Sequence, residues 1–216
     1  MSLLRIALLA AAAAATLAGC STTGSIVAGA GSDSAPAQKT LKGEIRSHLY
    51  TAQDKSFSVM VPHKKEGVHE YAPTQIKEEF TKYGAYVSFG PATFDQSVYR
   101  VEVVKDTASG KKTNLDEIAP KLIEDYKAQL QKDYESAPRK AESRQETING
   151  RKAYYWELTQ VAPAGKYASN KATTITHEVY IINFDKGAAI IWVLIPETAK
   201  KAAIAPQAFA ESVAMH

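Results

Sequence analysis

The chain has 216 residues, a formal net charge of +3, 45% hydrophobic residues and a single cysteine. A near-average apolar fraction with 23% charged residues excludes an intrinsically disordered or collagen-like chain. One cysteine excludes an internal disulfide and a cysteine-rich zinc site. The positive charge is slight and dispersed, so we expect no nucleic-acid partner.

Residues 1–19 have the pattern of a secretory signal peptide. Arg5 precedes a largely apolar run over residues 6–18. This run is too short to cross a bilayer, which requires about 20 helical residues. We therefore interpret it as the apolar region of a signal sequence that is removed from the mature protein.

The end of this run resembles the lipobox of bacterial lipoproteins. It holds the only cysteine of the sequence, directly after one leucine and two small residues: Leu17, Ala18, Gly19 and Cys20. The resemblance implies that the Cys20 thiol receives a diacylglyceryl group, that the chain is cut before Cys20, and that the new amino group is acylated. Two or more acyl chains anchor a protein stably. A plain secreted protein with a coincidental cysteine is the alternative.

Residues 20–39 are expected to form the lipidated cysteine and a flexible tether. Of the 19 residues from Ser21 to Lys39, 14 are Gly, Ala, Ser, Thr or Pro, a composition that cannot bury enough surface to fold. In the enteric sorting rule that this pattern resembles, aspartate at the position of Ser21 would retain the protein in the inner membrane. Ser21 therefore favours the outer membrane, with the protein facing the periplasm.

Residues 40–216 are predicted to form a single domain that begins with strands. Alternating apolar residues predict a strand over 56–62 and another over 98–104, the second with charges on one face. Residues 76–89 are compatible with a hairpin that turns near residues 82–84. A short helix followed by a strand over 85–89 is the other reading of that segment.

A long amphipathic helix is predicted next. Apolar residues from Leu115 to Tyr134 recur at helical spacing, and Asn114 is suited to cap the first turn. Proline in a helix interior costs about 3 kcal/mol. Pro120 therefore predicts that the regular helix begins near Ala119, after an irregular turn.

Two hairpins and a final helix complete the predicted domain. Asn149–Gly150 joins strands over 142–148 and 151–160, and residues 185–187 form a three-residue loop between strands over 174–184 and 188–195. The last strand is apolar on both sides, so both faces of the sheet must be covered. With a helix over 206–215 that packs Phe209 and Val213 inward, this order predicts an α+β fold. In it an antiparallel β-sheet is sandwiched between helices, as an α/β/α sandwich.

Several of these segments resemble the PsbP-like proteins, a group that includes the bacterial DcrB-like lipoproteins. The resemblance extends over about residues 50–216 and is carried by the long helix and by the segments FSVMVP, YRVEVV, NGRKAYYWEL and FAESV. It implies an antiparallel sheet between helices and an accessory or assembly-related role. It implies no catalytic residues.

No segment matches a nucleophile elbow, a zincin motif or a phosphate-binding loop. We therefore expect no enzymatic activity and no cofactor. His48 and His177 are interpreted as ordinary surface or strand-end residues.

The strongest polar cluster lies in the loop after the first predicted strand. Its imidazoles and carboxylates are of the types that bind zinc or a small ligand: His63, Glu66, His69 and Glu70. The interleaved Lys64 and Lys65 oppose a bound cation, so a solvated charged loop is the alternative.

Aromatic residues of one strand form the second candidate site. Tyr154 and Trp156 share one face of the predicted strand, and Tyr155 lies on the other. Aromatics pack well in strands, which is the structural alternative. Tyr and Trp are also enriched at interaction hot spots, so these three residues are a candidate docking patch.

These observations favour a membrane-anchored bacterial lipoprotein with a non-catalytic interaction or accessory domain and an envelope protein as its partner. A periplasm-facing lipoprotein that binds a small ligand or a metal is the alternative.

Overall fold

The computed structural model describes residues 41–66, 69–81, 84–90, 97–106, 114–134, 138–164, 171–199 and 204–216. The predicted signal peptide, the lipobox with Cys20, Ser21 and the predicted tether lie outside these residues. Within the described ranges, the elements in chain order are β1 (Glu44–Arg46), β2 (Leu49–Thr51), β3 (Phe57–Met60), β4 (Lys64–Glu66), β5 (His69–Tyr71), β6 (Ile76–Thr81), β7 (Gly84–Phe89), β8 (Val98–Lys105), α1 (Leu115–Tyr134), β9 (Lys140–Ile148), β10 (Arg151–Ala162), β11 (Thr173–Phe184), β12 (Gly187–Pro196), α2 (Pro206–Glu211) and β13 (Ala214–Met215).

The strands form two antiparallel sheets and a separate hairpin. The main sheet has seven strands in the order β6-β7-β8-β12-β11-β10-β9. The small sheet has four strands in the order β1-β2-β3-β13, and β4 pairs with β5 alone. In the small sheet, β3 receives the last strand of the chain, because Ala214 pairs with Ser58 and Met215 with Phe57.

The two faces of the main sheet are covered by different elements. Helix α1 packs on one face, where Leu115, Ala119 and Ile123 are buried against residues of β10, β11 and β12. The small sheet and α2 cover the other face, with Tyr50 and Phe209 among the fully buried side chains. Among the described residues, neither helix has the length and apolar character required to span a bilayer.

The predicted α/β/α sandwich is wrong. The structure is mostly β, and the described residues form two helices and two antiparallel sheets. The face opposite α1 is covered chiefly by the small sheet, in which β3 was predicted but β1, β2 and β13 contain only two or three residues. Strands this short have almost no periodicity to read. The final helix also ends at Glu211, and the chain then enters β13, although Phe209 and Val213 are buried as predicted.

Residues 76–89 form a hairpin, β6 and β7, and not a helix followed by a strand.

Helix α1 begins at Leu115, so the predicted start near Ala119 is wrong. The Asn114 side-chain oxygen accepts a hydrogen bond from the Asp116 N–H at 3.2 Å, and the Asn114 carbonyl accepts from the Ile118 N–H at 3.1 Å. This cap and the burial of Leu115 hold the first turn in helical form in spite of Pro120.

Of the two predicted hairpin turns, the one at Asn149 and Gly150 is confirmed and the other is wrong. Asn149 and Gly150 have φ values of 50° and 75° between β9 and β10, as expected for an Asn-Gly turn. The predicted three-residue loop at 185–187 is wrong, because Gly187 already pairs with Phe184 across β11 and β12. Gly187 has φ 147°, and a Cβ atom there would lie 2.1 Å from the Val104 carbonyl oxygen of β8. Position 187 therefore requires glycine, because β12 and β8 approach each other closely there.

We expect Gly187→Ala to lower the free energy of unfolding by about 3 kcal/mol, since the added carbon meets rigid backbone and not a movable side chain. Gly150→Ala is the matched control, because its Cβ would have nothing within 4 Å and only the positive φ costs about 1 kcal/mol. Urea unfolding of both variants measures the difference. Equal destabilisation would contradict the close approach of β12 to β8.

Candidate functional site

A groove of about 460 Å³ lies between α1 and the end of the main sheet formed by β9 and β10. It is lined by residues of all three elements, including Pro120 and Ile123 of α1, Ser143 and Gln145 of β9, and Tyr154 and Trp156 of β10. Its volume falls in the range of about 300–1,000 Å³ that is usual for ligand sites.

The aromatic pair of the groove follows from the alternation of strand β10. Residues two apart in a strand share a face, so Tyr154 and Trp156 both point toward α1. Their rings are stacked, with centroids 5.6 Å apart and planes 17° apart. Trp156 is 5% exposed and Tyr154 is half-buried, so Tyr154 is the accessible ring of the pair and the buried Trp156 supports it.

Polar contacts hold Tyr154 in position. The Asp116 carboxylate accepts hydrogen bonds from the Tyr154 hydroxyl and from Lys152 Nζ, the latter at 2.7 Å. Gln145 Nε2 donates to the Tyr154 hydroxyl oxygen at 3.0 Å. The bonds from Lys152 and Tyr154 lower the pKa of Asp116, and the bond to Asp116 raises the pKa of Tyr154. The tyrosine is therefore oriented before any ligand arrives.

The predicted docking patch is divided between the two faces of the sheet. Tyr154 and Trp156 line the groove, whereas Tyr155 is buried on the opposite face. There Tyr155 packs against Tyr180, with ring centroids 4.9 Å apart, and the Arg144 guanidinium lies 3.9 Å from its ring centre. Tyr155 therefore belongs to the core side of the sheet.

The predicted metal or ligand loop falls at the hairpin of β4 and β5. Glu66 pairs with His69, and Lys65 pairs with Glu70, along the backbone. The side chains of Glu66, His69 and Glu70 lie outside the described part of the structure. The ring of His63, which precedes β4, stacks on His48 with centroids 4.1 Å apart. In the described part of the chain, no group of three or more His, Cys, Asp or Glu side chains is arranged to hold a metal.

The interpretation of His177 as a surface or strand-end residue is wrong. His177 lies in the middle of β11 and is fully buried beneath α1. Its Nδ1 lies 2.8 Å from the Tyr126 hydroxyl oxygen of α1. Burial, and then the charge of Arg100, lower the pKa of His177 to about 3, so its ring is neutral at physiological pH. The sequence pattern could have indicated the burial of His177, because this residue shares a strand face with the apolar Val179.

Comparisons with known proteins add little to this geometry. No family model matches the chain, and no curated protein matches it. A solved structure from Bacteroides thetaiotaomicron aligns with a TM-score of 0.44 and 13% identity, over 80% of this chain and 49% of that one. The chain thus spans about half the length of that protein. The resemblance to PsbP-like lipoproteins stays a prediction.

We expect the buried His177 to make the protein less stable in acid. Below pH 6.5 the unfolded chain binds a proton at this residue, whereas the folded protein does not until the pH nears 3. Stability therefore falls as the pH falls through this window, by about 2 kcal/mol between pH 7 and pH 5. His177→Gln keeps a polar partner for Tyr126 and should lose this slope.

Unfolding of both proteins in urea at several pH values measures this difference. Burial raises the pKa of Glu102 to about 7, and this group acts with the opposite sign, since it stabilises the fold as the pH falls. Its contribution is shared by both proteins and cancels in the comparison. An unchanged pH slope in His177→Gln would show that His177 is not the buried titrating group.

Proposed function

We propose that the protein is a bacterial envelope lipoprotein, anchored by acyl chains on Cys20, whose folded domain binds a partner protein through the groove between α1 and strands β9 and β10. The observation that carries the binding role is the stacked pair of Tyr154 and Trp156 in this groove. Rigid aromatic side chains that are oriented in advance lose little entropy on binding and recur at interaction hot spots.

The anchor is supported by the sequence pattern. Cys20 follows Leu17, Ala18 and Gly19 at the end of an apolar run of signal-peptide length. Ser21 favours delivery to the outer membrane, where the domain would face the periplasm. The partner would accordingly be a protein of the cell envelope.

Charges beside the groove restrict the kind of partner. Lys127 Nζ lies 2.7 Å from a Glu124 carboxylate oxygen, and Lys152 Nζ, next to Tyr154, lies 2.7 Å from an Asp116 carboxylate oxygen. Paired charges of opposite sign create little net field. The groove therefore suits a segment with apolar side chains and few charges, and it does not suit a nucleic acid.

A small ligand is the second candidate occupant. The groove volume and its mixture of aromatic side chains with hydroxyl and amide groups, such as Ser143 and Gln145, are typical of small-molecule sites. A small ligand would raise the melting temperature of the purified protein in proportion to its occupancy. A protein partner would instead yield a discrete cross-linked complex in intact cells.

We expect Cys20→Ala to move the protein from the membrane fraction to the soluble fraction, or to leave it unprocessed. Without the thiol no diacylglyceryl group is attached, and the apolar run is too short to hold the chain in a bilayer. Fractionation and labelling with a radioactive fatty acid measure the change. Unaltered fractionation and labelling in the variant would exclude the lipoprotein.

We expect Ser143→Trp to fill the groove and to lower the yield of the cross-linked complex about tenfold. Ser143 is exposed and lies directly opposite Trp156 in the β9–β10 register. Thr147→Trp is the matched control, because Thr147 is an exposed residue of the same strand and the same face beyond the groove. Each variant should change the free energy of unfolding by less than about 0.5 kcal/mol.

The two variants also separate the candidate occupants. An equal cross-linking yield for Ser143→Trp and Thr147→Trp would remove the groove as the partner site. A melting-temperature increase with a small ligand that Ser143→Trp abolishes, without any cross-linked complex, would favour the small ligand.

A further inference from the structure

Two large apolar side chains are exposed among the described residues, and they are neighbours. Leu49 of β2 is 44% exposed and Met60 of β3 is 43% exposed, and the two pair directly across the strands. The residues next to them in the same strands, Tyr50 and Val59, are fully buried toward the main sheet. Leu49 and Met60 therefore lie on the outer face of the small sheet.

Two histidine rings extend this apolar surface. His48 precedes Leu49, and its carbonyl accepts a hydrogen bond from the Val61 N–H at 2.7 Å. This bond places His48 beside the end of β3, where its ring stacks on His63. An imidazole has an apolar body and a polar tip. We call Leu49, Met60, His48 and His63 the outer patch.

The strand beside Leu49 carries a pair of opposite charges. Arg46 pairs with Leu49 across β1 and β2, and its Nε lies 2.5 Å from a carboxylate oxygen of Glu44. A surface with apolar side chains and a balanced pair of charges suits the interfacial region of a lipid bilayer. It does not require an anionic partner for charge complementarity.

The route of the chain connects this patch to the proposed anchor. The described structure begins at Leu41, three residues before β1 of the small sheet. Leu41 lies 21 residues after Cys20, and the tether predicted between them would span about 25 Å on average if it is a flexible coil. Such a tether would hold the small sheet at an effective concentration near the millimolar range relative to the bilayer surface. A patch too small to bind a membrane by itself is then sufficient to orient the domain.

We propose that the outer patch of the small sheet rests on the bilayer that holds the Cys20 acyl chains, with Leu49 and Met60 entering its interfacial region. This inference rests on the proposed lipid anchor. It also defines an orientation, because the small sheet and α1 cover opposite faces of the main sheet. The groove beside α1 would then face away from the membrane, toward a partner.

The test uses the full-length lipidated protein in vesicles of phosphatidylethanolamine and phosphatidylglycerol that contain a doxyl-labelled quencher lipid. The lipid occupies the thiol of Cys20, so Met60→Cys supplies a single free thiol for a fluorescent bimane label. Lys121→Cys, at an exposed position of α1, is the matched control. Because apolar side chains in the interface lie about 5–10 Å deep, we expect quenching at position 60 to exceed that at position 121 about threefold.

Leu49→Cys repeats the measurement at the paired position and protects the test against a defect specific to Met60. If the labelled proteins float with the vesicles but positions 49, 60 and 121 are quenched equally, the inference fails and the anchor survives. If they do not float with the vesicles, the anchor and the inference both fail. If the label at position 60 is shielded from aqueous iodide in a Cys20→Ala protein without lipid, a second copy covers the patch and the inference fails.

Discussion

The structure depends on the burial of strand β12 on both of its faces. Every residue from Gly187 to Leu194 is buried, and the strand lies in the middle of the main sheet between β8 and β11. A strand without a polar side is stable only when separate layers cover it above and below. Here α1 packs over Trp192, and the small sheet with α2 packs over the side that contains Ile191.

The way in which α1 covers its face creates both the buried polar network and the groove. The helix contacts β10 and β11, so it seals His177 of β11 from water and supplies the Tyr126 hydroxyl as its neutral partner. The main sheet continues beyond the helix to β9. Trp156 and Tyr154 therefore lie at the boundary, where Trp156 is buried beside α1 and the Tyr154 ring that stacks on it is half-buried.

The described domain has two sides with different surface chemistry. The α1 side has a groove with oriented aromatic rings and paired charges at its rim. The outer side of the small sheet has the exposed Leu49 and Met60 next to the point where the chain enters the fold. Under the proposed function these sides would separate membrane contact from partner contact, because a seven-stranded sheet lies between them.

The sequence by itself determined the local elements with strong periodicity: strands β3, β8, β10 and β11, the Asn149–Gly150 turn and most of α1. It also determined that β12 needs two covers, and it alone supports the lipid anchor at Cys20. Only the tertiary structure decided that the second cover is a small sheet, that α1 begins before Pro120, and that Tyr155 belongs to the core. Periodicity shows which side of an element is apolar, but long-range packing selects the layer that covers it. Short strands such as β1 and β2 gain their stability from that packing and not from a pattern of their own.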